Sequence, residues 1–354
     1  MVDFGTTQIL VTGAAGWLGF NLVKALIEGL PGCTELAKPQ LDLQIRCLIL
    51  PNQDPQPLRQ LSPQIEIIQG DLRDRQACID FCQGARGAVL FHTAGVIHPH
   101  KVAEFAQINT QGTINLVDAA IAAQVKRAMI MSSNSPCGCN PHGDHRFDEN
   151  SPYNPYLGYG KSKMAMELAV QQRQAQIETV IIRAPWFYGE HQPPRQTLFF
   201  QMIRDGKAPI VGDGNNRRSM VYLGNLCQGL ILAAISSRAK SQIYWIADSE
   251  PYTMNQVIDT VERLLEQEFG QTCAHRRLWL PGWVSEFALI LDALWQGLGQ
   301  YHQKLHVLSE MNKTIACSIA KARRELGYQP QVDLEQGMRM SLAWLFSQNP
   351  QALD

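Results

Sequence analysis

A glycine-rich segment, Thr12-Gly13-Ala14-Ala15-Gly16-Trp17-Leu18-Gly19, stands between a short apolar run, Gln8 to Val11, and a stretch with helical spacing of apolar residues, Trp17 to Glu28. No other feature restricts the fold so strongly. A strand that passes through a tight glycine turn straight into a helix opens a βαβ unit, and such units build parallel sheets. Glycine permits the turn and lets backbone approach a pyrophosphate closely, while the helix N-terminus faces the phosphate charge. The spacing is GxxGxxG rather than the GxGxxG of ordinary dinucleotide domains, so the segment alone also fits a plain turn closing a βα unit.

The first half of the chain keeps this alternation. Apolar runs at Ile45 to Leu50, Ile65 to Gln69, Gly87 to His92, Ala128 to Met131 and Thr179 to Ile182 predict five further strands. Helices are predicted between them, notably over Val102 to Ala123 and Tyr156 to Gln174, and Leu30 to Leu43 is a longer connection than most βα units carry. The implied class is α/β, a Rossmann-type doubly wound parallel sheet covered on both faces. Beyond about Arg183 proline and glycine become frequent and the apolar runs irregular, with helices expected at Asn255 to Glu268 and Glu335 to Phe346. Residues 1–183 are therefore expected to form a nucleotide-binding domain. Residues 184–354 would form mainly a smaller C-terminal α/β substrate lobe, open to interleaving with the sheet. At 354 residues, 45% of them hydrophobic, the chain is long enough to bury such a core.

Composition narrows the partners. A net charge of −1 with no basic run gives no field for nucleic acid. Nine cysteines lie scattered at 33, 47, 78, 82, 137, 139, 227, 273 and 317 without a disulfide-framework spacing. With no signal peptide in view, a reducing cytoplasm is expected. The one apolar stretch long enough to consider for a membrane, Leu278 to Leu298, contains Pro281, Glu286 and Asp292, which argue against spanning. Peripheral contact with a membrane surface, or a lid over an apolar pocket, stays open to it.

More signals fall at predicted strand ends, where open α/β sheets bind ligands. Gly70-Asp71-Leu72 follows the third strand and offers a carboxylate for an adenine amino group, and His92-Thr93-Ala94-Gly95 ends the fourth with small residues that leave room for a ribose and nicotinamide. The second strand ends in Leu50-Pro51-Asn52, with Arg46 inside the strand and Asp54 in the loop, so NAD and NADP both remain open. Tyr159-Gly160-Lys161-Ser162-Lys163 starts a helix, which puts Tyr159 and Lys163 on one face. A phenol titrates near ~10. A neighbouring ammonium favours phenolate, as proton exchange with a hydroxyl needs. Ser132-Ser133 ends the fifth strand and offers a hydroxyl to a substrate oxygen.

Glycine loop, GDL, HTAG, SSNSPCG and YGKSK occur in this order, and with them the chain resembles the extended short-chain dehydrogenase/reductases, the group containing NAD-dependent epimerase/dehydratases. The resemblance continues through Asn109-Thr110-Gln111-Gly112-Thr113, Arg183-Ala184-Pro185-Trp186-Phe187-Tyr188-Gly189, Gly212-Asp213-Gly214, Val221-Tyr222 and Lys321 to Tyr328. It implies that Tyr159 exchanges the proton, Lys163 lowers its pKa and binds ribose, and Ser133 orients the reacting oxygen while hydride passes to or from a nicotinamide. Gly13, Gly16, Trp17, Leu18, Gly19, Asp71, Leu72, Thr93, Ala94, Gly95 and Pro185, with Tyr159 and Lys163, are the expected cofactor contacts. Asn109 either supports the site or caps a helix. A homodimer is implied, pairing the helices over Val102 to Ala123 and Tyr156 to Gln174.

The substrate contacts expected from the resemblance are Ser133, Asn134, Trp186 and Arg218. Arg218 aligns with an arginine that grips the diphosphate in nucleotide-sugar members, and a guanidinium suits phosphate. Trp186 replaces an asparagine common in those enzymes, and Leu278 to Leu298 looks like the corresponding region of the 3β-hydroxysteroid dehydrogenase-like branch. The expectation is redox at a secondary alcohol or ketone of an apolar, sterol-like small molecule. A nucleotide-sugar epimerase or reductase is the alternative, and a cofactor-sensing protein without turnover a second. A 4,6-dehydratase is disfavoured because Ser133-Asn134-Ser135 replaces the Thr-Asp-Glu segment. Cys137, Cys139, His142 and His145 invite a zinc hypothesis, but their spacing departs from common finger patterns and a pocket-shaping loop is expected instead.

Overall fold

The computed structural model describes residues 4–30, 37 and 42–353. Cys33 and most of the Leu30 to Leu43 connection lie outside the described residues. In chain order the first elements are β1 (Gln8–Thr12), α1 (Trp17–Glu28), β2 (Gln44–Ile49), α2 (Gln56–Leu61), β3 (Glu66–Gln69), α3 (Arg75–Cys82) and β4 (Val89–His92). A π-helical segment, Phe105–Gly112, then runs into α4 (Thr113–Ala122), followed by β5 (Arg127–Ser133), α5 (Leu157–Gln171) and β6 (Glu178–Ala184).

Both faces of these strands are apolar, so both must be covered. Ile9 and Val11 of β1, Met129 and Met131 of β5, and Val180 and Ile182 of β6 pack on one side with Leu22, Val23 and Leu26 of α1. Leu10, Ile130 and Ile181 point the other way, against Phe81 of α3, Leu116 and Val117 of α4, and Met166 of α5.

The second half continues with β7 (Trp186–Tyr188), α6 (Pro194–Arg204), β8 (Pro209–Val211), β9 (Arg217–Arg218), β10 (Met220–Tyr222), α7 (Leu223–Ile235), β11 (Gln242–Trp245), β12 (Tyr252–Thr253) and α8 (Met254–Gln267). It ends with β13 (Leu278–Leu280), α9 (Trp283–Gly297), α10 (Gln303–Glu310), α11 (Ala320–Leu326) and α12 (Leu334–Gln348). The main sheet has seven parallel strands in the order β11-β6-β5-β4-β1-β2-β3. The seventh, β11, comes from beyond residue 184, as do α7 and α11, which pack on the α1 face. α7 is apolar nearly all round, which hides the amphipathic period that would announce another βαβ unit. A separate core joins α6, α8 and α12 through Phe200, Val261 and Met338.

One predicted helix differs in form. Val102 to Ala123 becomes a π-helical segment and a shorter α-helix, and the Thr113 hydroxyl donates to the Asn109 carbonyl at 2.7 Å where they join. Wide turns of this kind cluster at functional sites because they redirect side chains.

β5, β6 and α5 are locked by a buried ion pair. Arg183 of β6 donates to both carboxylate oxygens of Glu167 on α5, at 2.7 Å from Nη2, and both side chains are almost fully enclosed. Ser132 and Tyr153 donate to the same carboxylate, and the guanidinium lies over the rings of Tyr153 and Trp245. Removing one partner strands the other charge. Glu167→Ala is expected to cost about 3–5 kcal/mol in urea unfolding, with part recovered by adding Arg183→Met.

Candidate active site

The strand order reverses its direction of growth between β1 and β4, so a crevice opens at their carboxyl ends. The glycine loop and Thr93-Ala94-Gly95 flank it. Gly13 has φ +67°, and a Cβ there would sit 2.8 Å from the Ala94 backbone. A Cβ on Gly19 would lie 2.1 Å from the Gly13 carbonyl oxygen, so the third glycine lets α1 press against its own loop. Gly16 is the N-cap of α1, and the first turn carries no acidic residue. Unpaired N–H groups at such an end suit a phosphate. Thr93 donates to the Thr12 carbonyl at 2.7 Å, tying the two strand ends together. Behind them His92 bridges Thr12 and Thr113, 2.7 Å from each hydroxyl. Burial, with Lys163 adding to it, lowers its imidazole to about 3 and keeps it neutral.

The other expected cofactor residues divide by environment. Leu18 and Leu72 are core residues at the rim of the crevice. Trp17 is half-buried and donates from Nε1 to the Glu190 carbonyl at 2.7 Å, tying the loop to the segment after β7. Arg73 engages both oxygens of the Asp71 carboxylate and holds it below the usual range. Pro185 lies buried between β6 and β7. Arg46 is engaged by Glu66 and by the Phe81 and Gln83 carbonyls, and Asp54 accepts from the Gln56 N–H.

Ser133, Tyr159 and Lys163 converge across the crevice from the end of β5 and the start of α5. Ser132 and Ser133 differ in commitment: Ser132 is held by Glu167, whereas the Ser133 hydroxyl accepts from the Ser135 N–H at 3.2 Å and hydrogen-bonds the Tyr159 phenol. Burial pushes that phenol up to about 12, against the pull of the Ser133 hydrogen bond. Lys163 is buried, and its Nζ donates to the Met131 carbonyl at 2.9 Å. Burial lowers its pKa to about 8, with Glu167 working the other way. A Cβ on Gly95 would stand 3.5 Å from this Nζ and 3.1 Å from Asn109 Oδ1, so Gly95 lies directly beside the ammonium. Asn109 is not a helix cap. It lies buried within the π-helical segment, pairs with both backbone groups of Val96, and donates to Ser162 at 3.1 Å. The phenol ring leans on Phe105, which meets Tyr301 in turn.

Among the expected substrate residues, Asn134 begins the turn after β5, its carbonyl accepting from Cys137 and Gly138. Trp186 packs on Phe199 at 5.6 Å between ring centroids. Arg218 turns its guanidinium to the Glu310 carbonyl at the end of α10. Among the described residues no three His, Cys, Asp or Glu side chains are arranged to hold a metal ion, and in the Cys137 to His145 loop His145 is held by Asn140. All described cysteines are free thiols. A surface hollow beside Arg146, Glu250 and Arg323 shares no residue with the crevice.

Sequence reasoning missed the segment Glu190 to Gln196. Gln192 is buried with both side-chain polar atoms unpartnered, and Gln196 has a buried, unpartnered Nε2. Buried amides without partners mark a place where water or a ligand completes the bonding. The exposed guanidinium of Arg195 has no hydrogen-bond or ion-pair partner among the described residues, and its charge adds to the burial that lowers the His98 imidazole to about 4. The available signal was a polar run ending in Pro193-Pro194 at a helix start.

Comparison with known proteins places the fold and the family. The NAD dependent epimerase/dehydratase family matches residues 9–247. An uncharacterised protein, y4nL of Sinorhizobium fredii, is 54% identical over 97% of this chain and 96% of its own length. The 3beta-hydroxysteroid-dehydrogenase/decarboxylase isoform 1 of Arabidopsis thaliana is 26% identical over 94% of this chain and 78% of its own. A putative UDP-glucose 4-epimerase of Methanocaldococcus jannaschii is also 26% identical, over 97% and 99%. The crystal structure of UDP-glucose 4-epimerase from Thermotoga maritima superposes with a TM-score of 0.74 at 19% identity, covering 96% of this chain and 99% of that one. The chain belongs to the NAD-dependent epimerase/dehydratase family, an extended short-chain dehydrogenase/reductase group, and is an NAD(P)-dependent enzyme.

The glycine contacts predict a localised defect. Gly19→Ala places a methyl group against backbone and is expected to abolish stabilisation by NAD or NADP in thermal melts. Gly143→Ala, where a Cβ meets nothing within 4 Å, is expected to leave that stabilisation unchanged.

Proposed function

We propose that this enzyme moves hydride reversibly between its nicotinamide cofactor and a secondary alcohol or ketone of an apolar, sterol-like substrate. The observation that carries this reading is the convergence of Ser133, Tyr159 and Lys163 beside the open face at Gly95. The residues present fit the cofactor: the Gly13 and Gly19 cradle admits backbone close to a pyrophosphate, and Gly95 places no side chain beside the Lys163 ammonium that would meet a ribose. When bound, the nicotinamide accepts or donates the hydride. Tyr159 then takes the proton from the substrate hydroxyl or returns it to the ketone oxygen. Ser133 holds that oxygen by a hydrogen bond. Lys163, one turn beyond Tyr159 on α5 and held by the Met131 carbonyl of β5, would grip ribose hydroxyls and favour phenolate. Asn109 fixes the loop after β4 through Val96 and so keeps the crevice open at Gly95.

Two contacts support the apolar substrate. The guanidinium expected to grip a diphosphate is already engaged by the Glu310 carbonyl, and Trp186 presents an aromatic face beside Phe199. The relative in Arabidopsis thaliana is named for hydroxysteroid chemistry. One observation favours the nucleotide-sugar alternative: among the described residues the exposed Arg195 guanidinium has no hydrogen-bond or ion-pair partner, which leaves it free for a phosphate. We also propose a homodimer formed by the π-helical segment, α4 and α5, where Leu168 is exposed.

Tyr159→Phe is expected to lower turnover about 10²–10⁴-fold while NAD-induced thermal stabilisation persists. Unchanged turnover would remove Tyr159 from its role. Because burial raises the phenol to about 12, the proton needed for ketone reduction remains available through neutral and mildly alkaline pH. Alcohol oxidation needs phenolate, so its rate is expected to rise with pH over that range. Thermal melts with NAD plus a 3-ketosteroid, against NAD plus UDP-glucose, separate the substrate readings: stabilisation by UDP-glucose that Arg195→Met removes would favour the sugar nucleotide.

A further inference from the structure

The helix α9 is built inside out. Its buried positions are Ser285, Ala288 and Asp292, while Trp283, Phe287, Ile290, Leu294, Trp295 and Leu298 are between 46% and 75% exposed. Trp279, just before the helix, is exposed on the same stretch. The inward face is a polar network. Ser285 donates to the Leu308 carbonyl at 2.7 Å, Asp292 meets His306 Nδ1 at 2.8 Å, and Gln296 links Asp292 to the Gly158 N–H. Apart from Glu286, the strong polar groups of the helix are thus turned to the protein, and a contiguous apolar stripe is turned away from it. Such a stripe marks an interaction surface.

Charge identifies what covers it. The one outward acid on α9, Glu286, is neutralised by Lys313. Lys101, joined to Gln300 by a β-bridge, and Lys304 at the start of α10 are exposed at the C-terminal end, and Arg276 at the other. Among the described residues none of these three has an ion-pair partner. An apolar face with tryptophans along it and free cations at both ends matches an anionic bilayer surface, where indoles settle at headgroup level. A second copy of the chain would bring like charges together at the ends. No helix among the described residues is long and apolar enough to cross a membrane, so α9 would lie in the plane of the surface.

We propose that α9 seats the enzyme on an anionic lipid bilayer, with Trp279, Trp283 and Trp295 in the headgroup layer. The seat adjoins the active site, because the Gln296 side chain accepts from Gly158, next to Tyr159, and the Gly299 carbonyl accepts from Val102. The crevice would therefore stand at the lipid surface. The proposal rests on the exposed face and is independent of the substrate reading.

The test is co-sedimentation of the full chain with vesicles of phosphatidylcholine alone and of equal parts phosphatidylcholine and phosphatidylglycerol. Pelleting with the mixed vesicles and a blue shift of tryptophan emission are expected. The triple variant Trp283→Glu, Leu294→Glu, Leu298→Glu should lose at least about tenfold in partitioning. An unchanged circular dichroism spectrum and NAD-induced thermal shift would show that it folds. Lys101→Glu with Lys304→Glu should weaken binding to the mixed vesicles only. The proposal is overturned if the chain stays in the supernatant with both vesicle types, or if the triple variant binds as well as its parent. A dimer in size-exclusion chromatography that Leu294→Glu splits and Leu168→Glu does not, with no vesicle binding, would assign the face to a second copy.

Discussion

The ion pair between Arg183 and Glu167 is the joint on which the candidate active site hangs. It ties the end of β6 to the middle of α5, and through Ser132 it also holds the end of β5. Ser133 is the next residue along β5, while Tyr159 and Lys163 lie one to two turns back along α5. The hydroxyl, the phenol and the ammonium therefore take their relative positions from one buried contact. Desolvating two charges brings little net stability, since a packed apolar pair of similar volume often does as well. What the charges bring is direction: a guanidinium fork accepts only a narrow range of carboxylate placements. Stacking against Tyr153 and Trp245 removes the remaining freedom.

The crevice owes its shape to a different constraint, the close approach of two backbones. Gly13 and Ala94 sit too near for a side chain, and Gly19 presses α1 onto the same loop. Their nearness leaves the N-terminus of α1 bare and the space beside Lys163 open. Trp17 and Glu190 then connect the cradle to the segment that follows β7. The buried amides of Gln192 and Gln196 lie in the stretch that makes this connection.

The helix α9 shows how periodicity can mislead. Its apolar stripe has the spacing of a core helix, and the default expectation is that such a stripe packs inward. Here the protein supplies the partners of the other face, His306, Gly158 and Leu308, all groups that need hydrogen bonds. A buried polar group left unpaired costs more than an apolar one left wet, so polar complementarity decided which side turned in.

By itself the sequence determined the parallel sheet, the glycine turn and the ordering of the hydroxyl, phenol and ammonium along the chain. These are local properties, written in alternating apolar runs, a glycine spacing and a four-residue helical repeat. It also located α1, α8 and α12 to within two residues, because each carries a stripe of one period between clear ends. Only the tertiary structure decided that β11 and α7 return to the first sheet, since a short strand and an evenly apolar helix carry no mark of their neighbours. The tertiary structure likewise engaged Arg218 with a carbonyl, left Arg195 without a partner among the described residues and turned the apolar face of α9 outward. Each of those outcomes depends on which distant groups arrive beside a side chain, and hydrogen bonds between residues far apart in the chain leave no trace in local pattern.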